Sequence, residues 1–116
     1  MQIQERAVGP VTILDLKGKL THGDGDALLR DKIHSVLHQG RKNVVINLGG
    51  VDYIDSAGLG EVVSSLTTMS RDGGSLKLLN LTKRVHDLLA ITKLLTVFET
   101  FDSEDDVVKS FSSVSA

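Results

Sequence analysis

The sequence predicts an α/β protein with a mixed, mostly parallel sheet whose first strand lies antiparallel at an edge. Three observations carry that prediction. Gly9-Pro10 joins two strand-like segments across far too few residues for a crossover helix, so the segments pair as a hairpin. Beyond the hairpin, helical-period stretches alternate with short β-branched runs, the pattern that right-handed crossovers turn into parallel strands. Finally, 116 residues, 41% of them hydrophobic, suffice for one buried core, and no linker, repeat or low-complexity segment divides them. One domain is therefore expected over residues 1–116.

The hairpin strands are residues 3–8 and 11–17, with Pro10 placed where only a terminal donor is lost. Residues 18–26 follow as a loop with three glycines and two acids. The first helix carries Leu29, Ile33, Val36 and Leu37 on one side; Asp24 or Asp26 caps it and Gly40 stops it. Val44-Val45-Ile46-Asn47-Leu48 reads as a buried strand that ends at Gly49-Gly50. A second helix follows Tyr53-Ile54-Asp55-Ser56, with Leu59, Val62, Val63, Leu66 and Met69 at helical spacing, and ends near Arg71-Asp72-Gly73-Gly74.

Residues 76–81 form the next strand. Thr82 caps a short helix with Val85, Leu88 and Leu89 facing inward. Val97-Phe98, extended at most to Phe101, makes the last strand. Ser103 caps a final helix whose first turn holds Glu104, Asp105 and Asp106, where the dipole favours acids. Its apolar stripe is Val107, Val108 and Phe111, and residues 112–116 are expected to fray. The order is ββαβαβαβα, five strands and four helices.

Composition removes several function classes. A formal charge of -2 supplies no basic field, so neither nucleic acid nor an acidic membrane surface is an expected partner. There is no Cys, hence no disulfide, thiolate zinc site or cysteine nucleophile. No apolar run approaches the roughly 20 residues that span a bilayer. Met1-Gln2-Ile3-Gln4-Glu5-Arg6 lacks the basic-then-apolar order of a signal peptide, so a cytoplasmic location is expected.

Site chemistry thins out in the same way. His34 and His38 have the i,i+4 spacing of two metal ligands, but no Glu follows the first and no third ligand is evident. They read as solvent-facing, as do the isolated His22 and His86; no metal is expected. Gly58-Leu59-Gly60 lacks the further Gly of a dinucleotide fingerprint, and no Gly-Lys-Ser or Gly-Lys-Thr offers a P-loop, so no cofactor is expected. Ile54 stands where a nucleophile elbow needs Gly, and nothing in the sequence brings a His to Ser56, so an enzyme is not expected.

Ser56 itself sits where a loop becomes a helix, with two glycines leaving the first turn bare of side chains. An unmodified serine N-cap contributes about 1 kcal/mol to a helix. A phosphorylated one carries about -1.5 to -2 charge at an end whose dipole and free N–H groups accept anions. Beside Asp55, that charge would repel a partner docked on the unmodified surface. From the residues alone, cap and switch weigh about evenly.

The stretch Asn47-Leu48, Val51 and Tyr53-Ile54-Asp55-Ser56-Ala57-Gly58-Leu59-Gly60 resembles the signature of bacterial anti-sigma factor antagonists of the STAS domain family. Gly18, Leu20, Leu79, Leu81 and Val85 extend the resemblance over nearly the whole chain, and Asp55-Ser56 with Gly58 is its specific part. The resemblance implies a four- or five-stranded sheet covered by helices. It also implies that Ser56 is phosphorylated by a serine kinase that doubles as an anti-sigma factor and holds the ATP. The unphosphorylated form would bind that kinase and free a sigma factor, regulating transcription; a metal-dependent serine phosphatase would reset it. The docking surface so implied comprises Thr21, Asp24, Asp55, Ser56, Ala57, Gly58, Leu59 and Gly60, on a monomer or weak dimer.

Two departures from the family pattern matter. Thr21 stands where Asp is common after the Gly-x-Leu pair, with Asp24 the nearby substitute. Lys93 stands where Gly usually follows the third helix, which predicts a different cap there. The alternative implied by the same resemblance is a structural STAS subunit of a signalling scaffold or lipid-transport ATPase, assembled constitutively through the same surface.

Overall fold

The computed structural model describes residues 1–112; of the stretch 112–116 expected to fray, Ser112 is the last residue of the final helix and the rest lies outside the described residues. The strands β1 (Gln2–Val8), β2 (Val11–Leu20), β3 (Asn43–Ile54), β4 (Ser75–Leu79) and β5 (Thr100–Phe101) lie across one sheet in sequence order. β1 runs antiparallel to β2 at the sheet edge, and every later pair is parallel. The helices are α1 (Gly25–His38), α2 (Ser56–Arg71), α3 (Lys83–Ile91) and α4 (Glu104–Ser112). The α/β class, the mixed sheet and the edge hairpin are as the sequence predicts.

Because the strand order advances in one direction, right-handed crossovers put α1, α2 and α3 on the same face. There Leu29, Ile33, Leu59, Val62, Met69, Val85 and Leu89 pack on Leu14, Val44, Ile46 and Leu78. α4 takes the other face, where Val107 closes over Val11, Ile13, Val45 and Leu79. β2 and β3 are thus covered on both sides, which is why their sequences are nearly continuous apolar runs. Each Leu, Ile or Val buried there stabilises the fold by about 1.5–3 kcal/mol.

α4 is fastened at its start by Arg6 of β1. The guanidinium donates to Asp15 at 2.6 and 3.2 Å and to Glu104 at 2.6 and 3.0 Å, and Asn47 donates a further bond to Asp15 at 2.8 Å. The hydrogen bond from Arg6 holds the Glu104 carboxyl below its usual range. Burial pushes the Asp15 carboxyl up, but the bonds from Arg6 and Asn47 outweigh it and leave the group lowered.

Several boundaries differ from the sequence expectation. β2 runs on to Leu20 and β3 to Ile54, so residues 18–20 are strand and Gly49-Gly50 do not end one. A Cβ on Gly50 would lie 2.7 Å from the Leu16 carbonyl oxygen, where the β2–β3 register shifts. Glycine there permits close backbone approach at a bulge. β4 stops at Leu79, because Asn80 turns the chain at a φ of 57°. Val97-Phe98 is not a strand: Leu95–Val97 forms a 3₁₀ turn, Phe98 is buried, and the pairing falls to Thr100 and Phe101.

Lys93 also departs from expectation. It takes the left-handed conformation itself, at a φ of 63°. Its N–H donates to the Ala90 carbonyl at 3.1 Å, and that of Leu94 donates to Leu89 at 2.8 Å. The same paired closure ends α1 at Gly40 and α2 at Gly73. The cap is unchanged and only its residue is unusual.

Candidate functional site

β2 and β3 end side by side, Leu20 opposite Ile54, and the loops that leave them form one surface at the carboxyl ends of parallel strands. That is where α/β sheets characteristically place binding sites. One loop leads through Thr21 to α1, and the other passes through Asp55 into α2. Asp55 is extended and occupies the N-cap of α2. One carboxylate oxygen accepts the Gly58 N–H at 2.8 Å, and the other accepts the His22 N–H at 3.0 Å. These two bonds, His22 first, hold the Asp55 carboxyl below its usual range.

Asp55, not Ser56, is therefore the helix cap. Ser56 is the first residue of α2, and its exposed hydroxyl makes no hydrogen bond to the described residues. Asp55 takes the role because a carboxylate has two oxygens for two donors, one in each loop; a single hydroxyl cannot bind both strongly. The Ser56 oxygen is left with no structural task.

Small residues bring these pieces together. A Cβ on Gly58 would fall 2.0 Å from the Leu20 carbonyl oxygen, so α2 starts directly on the end of β2. Gly25 is as confined, with Lys19 O only 2.6 Å from its would-be Cβ. Gly60 meets nothing within 4 Å and is exposed, whereas Leu59 turns into the core. Ala57 is half-buried.

The 21–26 loop is folded by Asp26. Its buried carboxylate accepts the N–H groups of Gly23 at 2.9 Å and Ala27 at 2.7 Å, and the His22 Nδ1 lies 3.7 Å away. The half-buried Thr21 accepts the Asp26 N–H on its carbonyl at 3.1 Å. Asp24 holds the N-cap position of α1 without a side-chain bond, and its carboxylate lies 3.8 Å from the Met1 amino group. Thr21, Asp55, Ser56 and Ala57 thus share one surface, with Asp24 on the same loop, whereas Gly58 and Leu59 are buried beneath it. His34 and His38 are exposed on α1, and among the described residues no three His, Cys, Asp or Glu gather in a metal-holding group. No helix of the described residues is long and apolar enough to cross a membrane.

Sequence reasoning missed a neighbouring groove. Tyr53 and Ile54 at the end of β3 face Lys83, Arg84, Asp87, Leu88 and Ile91 of α3 across an open groove of about 520 Å³. The Arg84 guanidinium lies 5.1 Å from the centre of the Tyr53 ring, and Lys83 is paired with Asp87 at 2.8 Å. One signal was available, since Ile91 falls outside the inward set of Val85, Leu88 and Leu89.

Residues 2–107 match the family model for the STAS domain. Over 115 residues the chain is 24% identical to the anti-sigma F factor antagonist of Paenibacillus polymyxa, a match covering 99% of this chain and 98% of that one. It is 39% identical over 72 residues to the anti-sigma-B factor antagonist of Bacillus subtilis strain 168, covering 62% and 65% of the two chains. Among solved structures, a proposed anti-sigma factor antagonist from Thermotoga maritima superposes with a TM-score of 0.85 at 24% identity, over 93% and 92% of the chains. SpoIIAA from Bacillus in its phosphorylated form gives 0.75 at 20% identity, over 95% and 99%. Both structures share the fold described above.

Proposed function

The chain belongs to the STAS domain family, and from that membership we propose that it is an anti-sigma factor antagonist switched by phosphorylation of Ser56. In this reading the unphosphorylated form binds an anti-sigma factor with serine kinase activity and so releases a sigma factor for transcription. The kinase brings the ATP, a serine phosphatase restores the hydroxyl, and the chain acts in the cytoplasm as substrate and binding module with no catalysis of its own. Support comes from the relatives' names and from the SpoIIAA structure in phosphorylated form.

The observation that carries the reading is the division of labour between Asp55 and Ser56. Asp55 caps α2 and ties down the 21–26 loop, while Ser56 is exposed and unbonded beside it. A phosphate on Ser56 would displace no hydrogen bond of the fold. It would meet the positive end of α2 and add about -1.5 to -2 charge next to the Asp55 carboxylate. Docking, and not folding, is what such a change alters.

The test is to incubate the protein with ATP and the anti-sigma factor kinase it co-purifies with, then map phosphate by mass spectrometry. Phosphate on Ser56, absent from Ser56→Ala, is the expected result. Phosphate only elsewhere would overturn the reading. A stable complex indifferent to every Ser56 change would mark a constitutive subunit instead.

A further inference from the structure

We propose that the groove between Tyr53 and α3 docks a segment of the anti-sigma factor that presents a carboxylate beside an apolar side chain. The inference rests on the reading of the chain as an anti-sigma factor antagonist and adds the chemistry of the partner's docking segment.

The groove is apolar where a folded surface should not be. Ile91 is 80% exposed and Tyr53 44% exposed, and both line it with the half-buried Leu88. An apolar partner side chain placed there would remove all three from water. Of the three charged residues that line it, one is left over. Lys83 is already engaged by Asp87, whereas no carboxylate of the described residues pairs with Arg84. Its guanidinium lies over the Tyr53 ring, in contact range for a cation–π interaction. A planar guanidinium held in this way suits a carboxylate, which it can bind through two parallel hydrogen bonds. Among the lining residues the uncompensated charge is that of Arg84, which favours an acidic segment over a basic one.

The groove also adjoins the modification site. Ile54 lines it and Ser56 follows two residues later, which keeps their Cα atoms within about 7 Å. Phosphate on Ser56 would add negative charge next to the groove and so act against a carboxylate-bearing segment docked there. Charge complementarity at Arg84 and its cancellation at Ser56 are two halves of one switch.

The experiment is titration calorimetry of the unphosphorylated chain against the purified anti-sigma factor kinase identified by co-purification. Arg84→Glu and Ile91→Asp should each weaken binding about tenfold or more, as losses at central interface contacts do. Arg84→Gln, a milder change on an exposed side chain, should weaken it severalfold and flatten its salt dependence. Circular dichroism matching the parent would show that the variants remain folded. If the parent binds and all three variants bind within twofold of it, the groove is not the docking site and the proposed function stands. If the parent does not bind the kinase at all, both fall. A dimer seen by sedimentation and abolished by Ile91→Asp would give the groove to a second copy and overturn the inference.

Discussion

Asp55 accepts a hydrogen bond from the backbone N–H of His22 at 3.0 Å, across 33 residues of chain. That one bond joins the loop before α1 to the turn that carries Ser56. Asp55→Ala should raise amide hydrogen exchange at both His22 and Gly58 by at least about tenfold, since both donors lose their acceptor. Asp55→Asn, with one carbonyl oxygen left, should protect only one of the two. Nuclear magnetic resonance exchange rates decide it, and an unchanged His22 rate would mean the loop is held by other contacts.

Two glycines of the same helix should behave in opposite ways. Gly58→Ala forces a Cβ to within 2.0 Å of the Leu20 carbonyl oxygen and should destabilise the protein by about 3 kcal/mol, from strain at the helix start. Gly60→Ala meets nothing within 4 Å and should stabilise it by about 0.4–1 kcal/mol, by stiffening the unfolded chain and favouring helix. Urea unfolding of the pair measures both. Equal effects would contradict the placement of α2 on β2.

Acid should loosen α4. The folded-state carboxyls of Glu104 and Asp15 are lowered from ordinary values of 4.5 and 3.8, so their stabilisation is complete above those values and is lost as pH falls from them through the lower folded-state values. The melting temperature should accordingly drop below about pH 4.5, driven by the release of Arg6. Glu104→Gln should start lower at pH 7, by about 1 kcal/mol or less because solvent screens so exposed a pair, and lose less on acidification. Parallel pH profiles for parent and variant would dismiss Glu104 as the contributor.

Lys93 keeps a left-handed conformation that costs a residue with a Cβ about 1–2 kcal/mol. Lys93→Gly relieves this but adds freedom to the unfolded chain. A net gain of about 0.5 kcal/mol and a rise of a few degrees in melting temperature are expected; a lower melting temperature would show that the lysine side chain contributes something else.

The helices were legible in the sequence because each buries a single stripe, from Leu29, Ile33 and Val36 to Val107. The length of β3 was not, because Gly49-Gly50 looks the same in sequence whether it makes a turn or lets two backbones approach. Only the nearby Leu16 carbonyl distinguishes them. The cap, which the sequence reading gives to Ser56, belongs to Asp55 for a reason that is not local. Asp55 and Ser56 are both good cap residues, and the choice turns on a donor, His22 N–H, that only tertiary structure brings close. Arg84 and Tyr53 lie on different elements, so their stacking left no local trace, although Ile91 off the inward stripe did.

The most direct measurement of the proposed switch is the affinity of the anti-sigma factor kinase for the chain with and without phosphate on Ser56, at one fixed salt concentration. The unphosphorylated chain and Ser56→Ala should bind, and the phosphorylated chain should bind at least tenfold more weakly, a difference of about 1.4 kcal/mol. Equal affinity of the two forms would contradict a phosphorylation switch at Ser56.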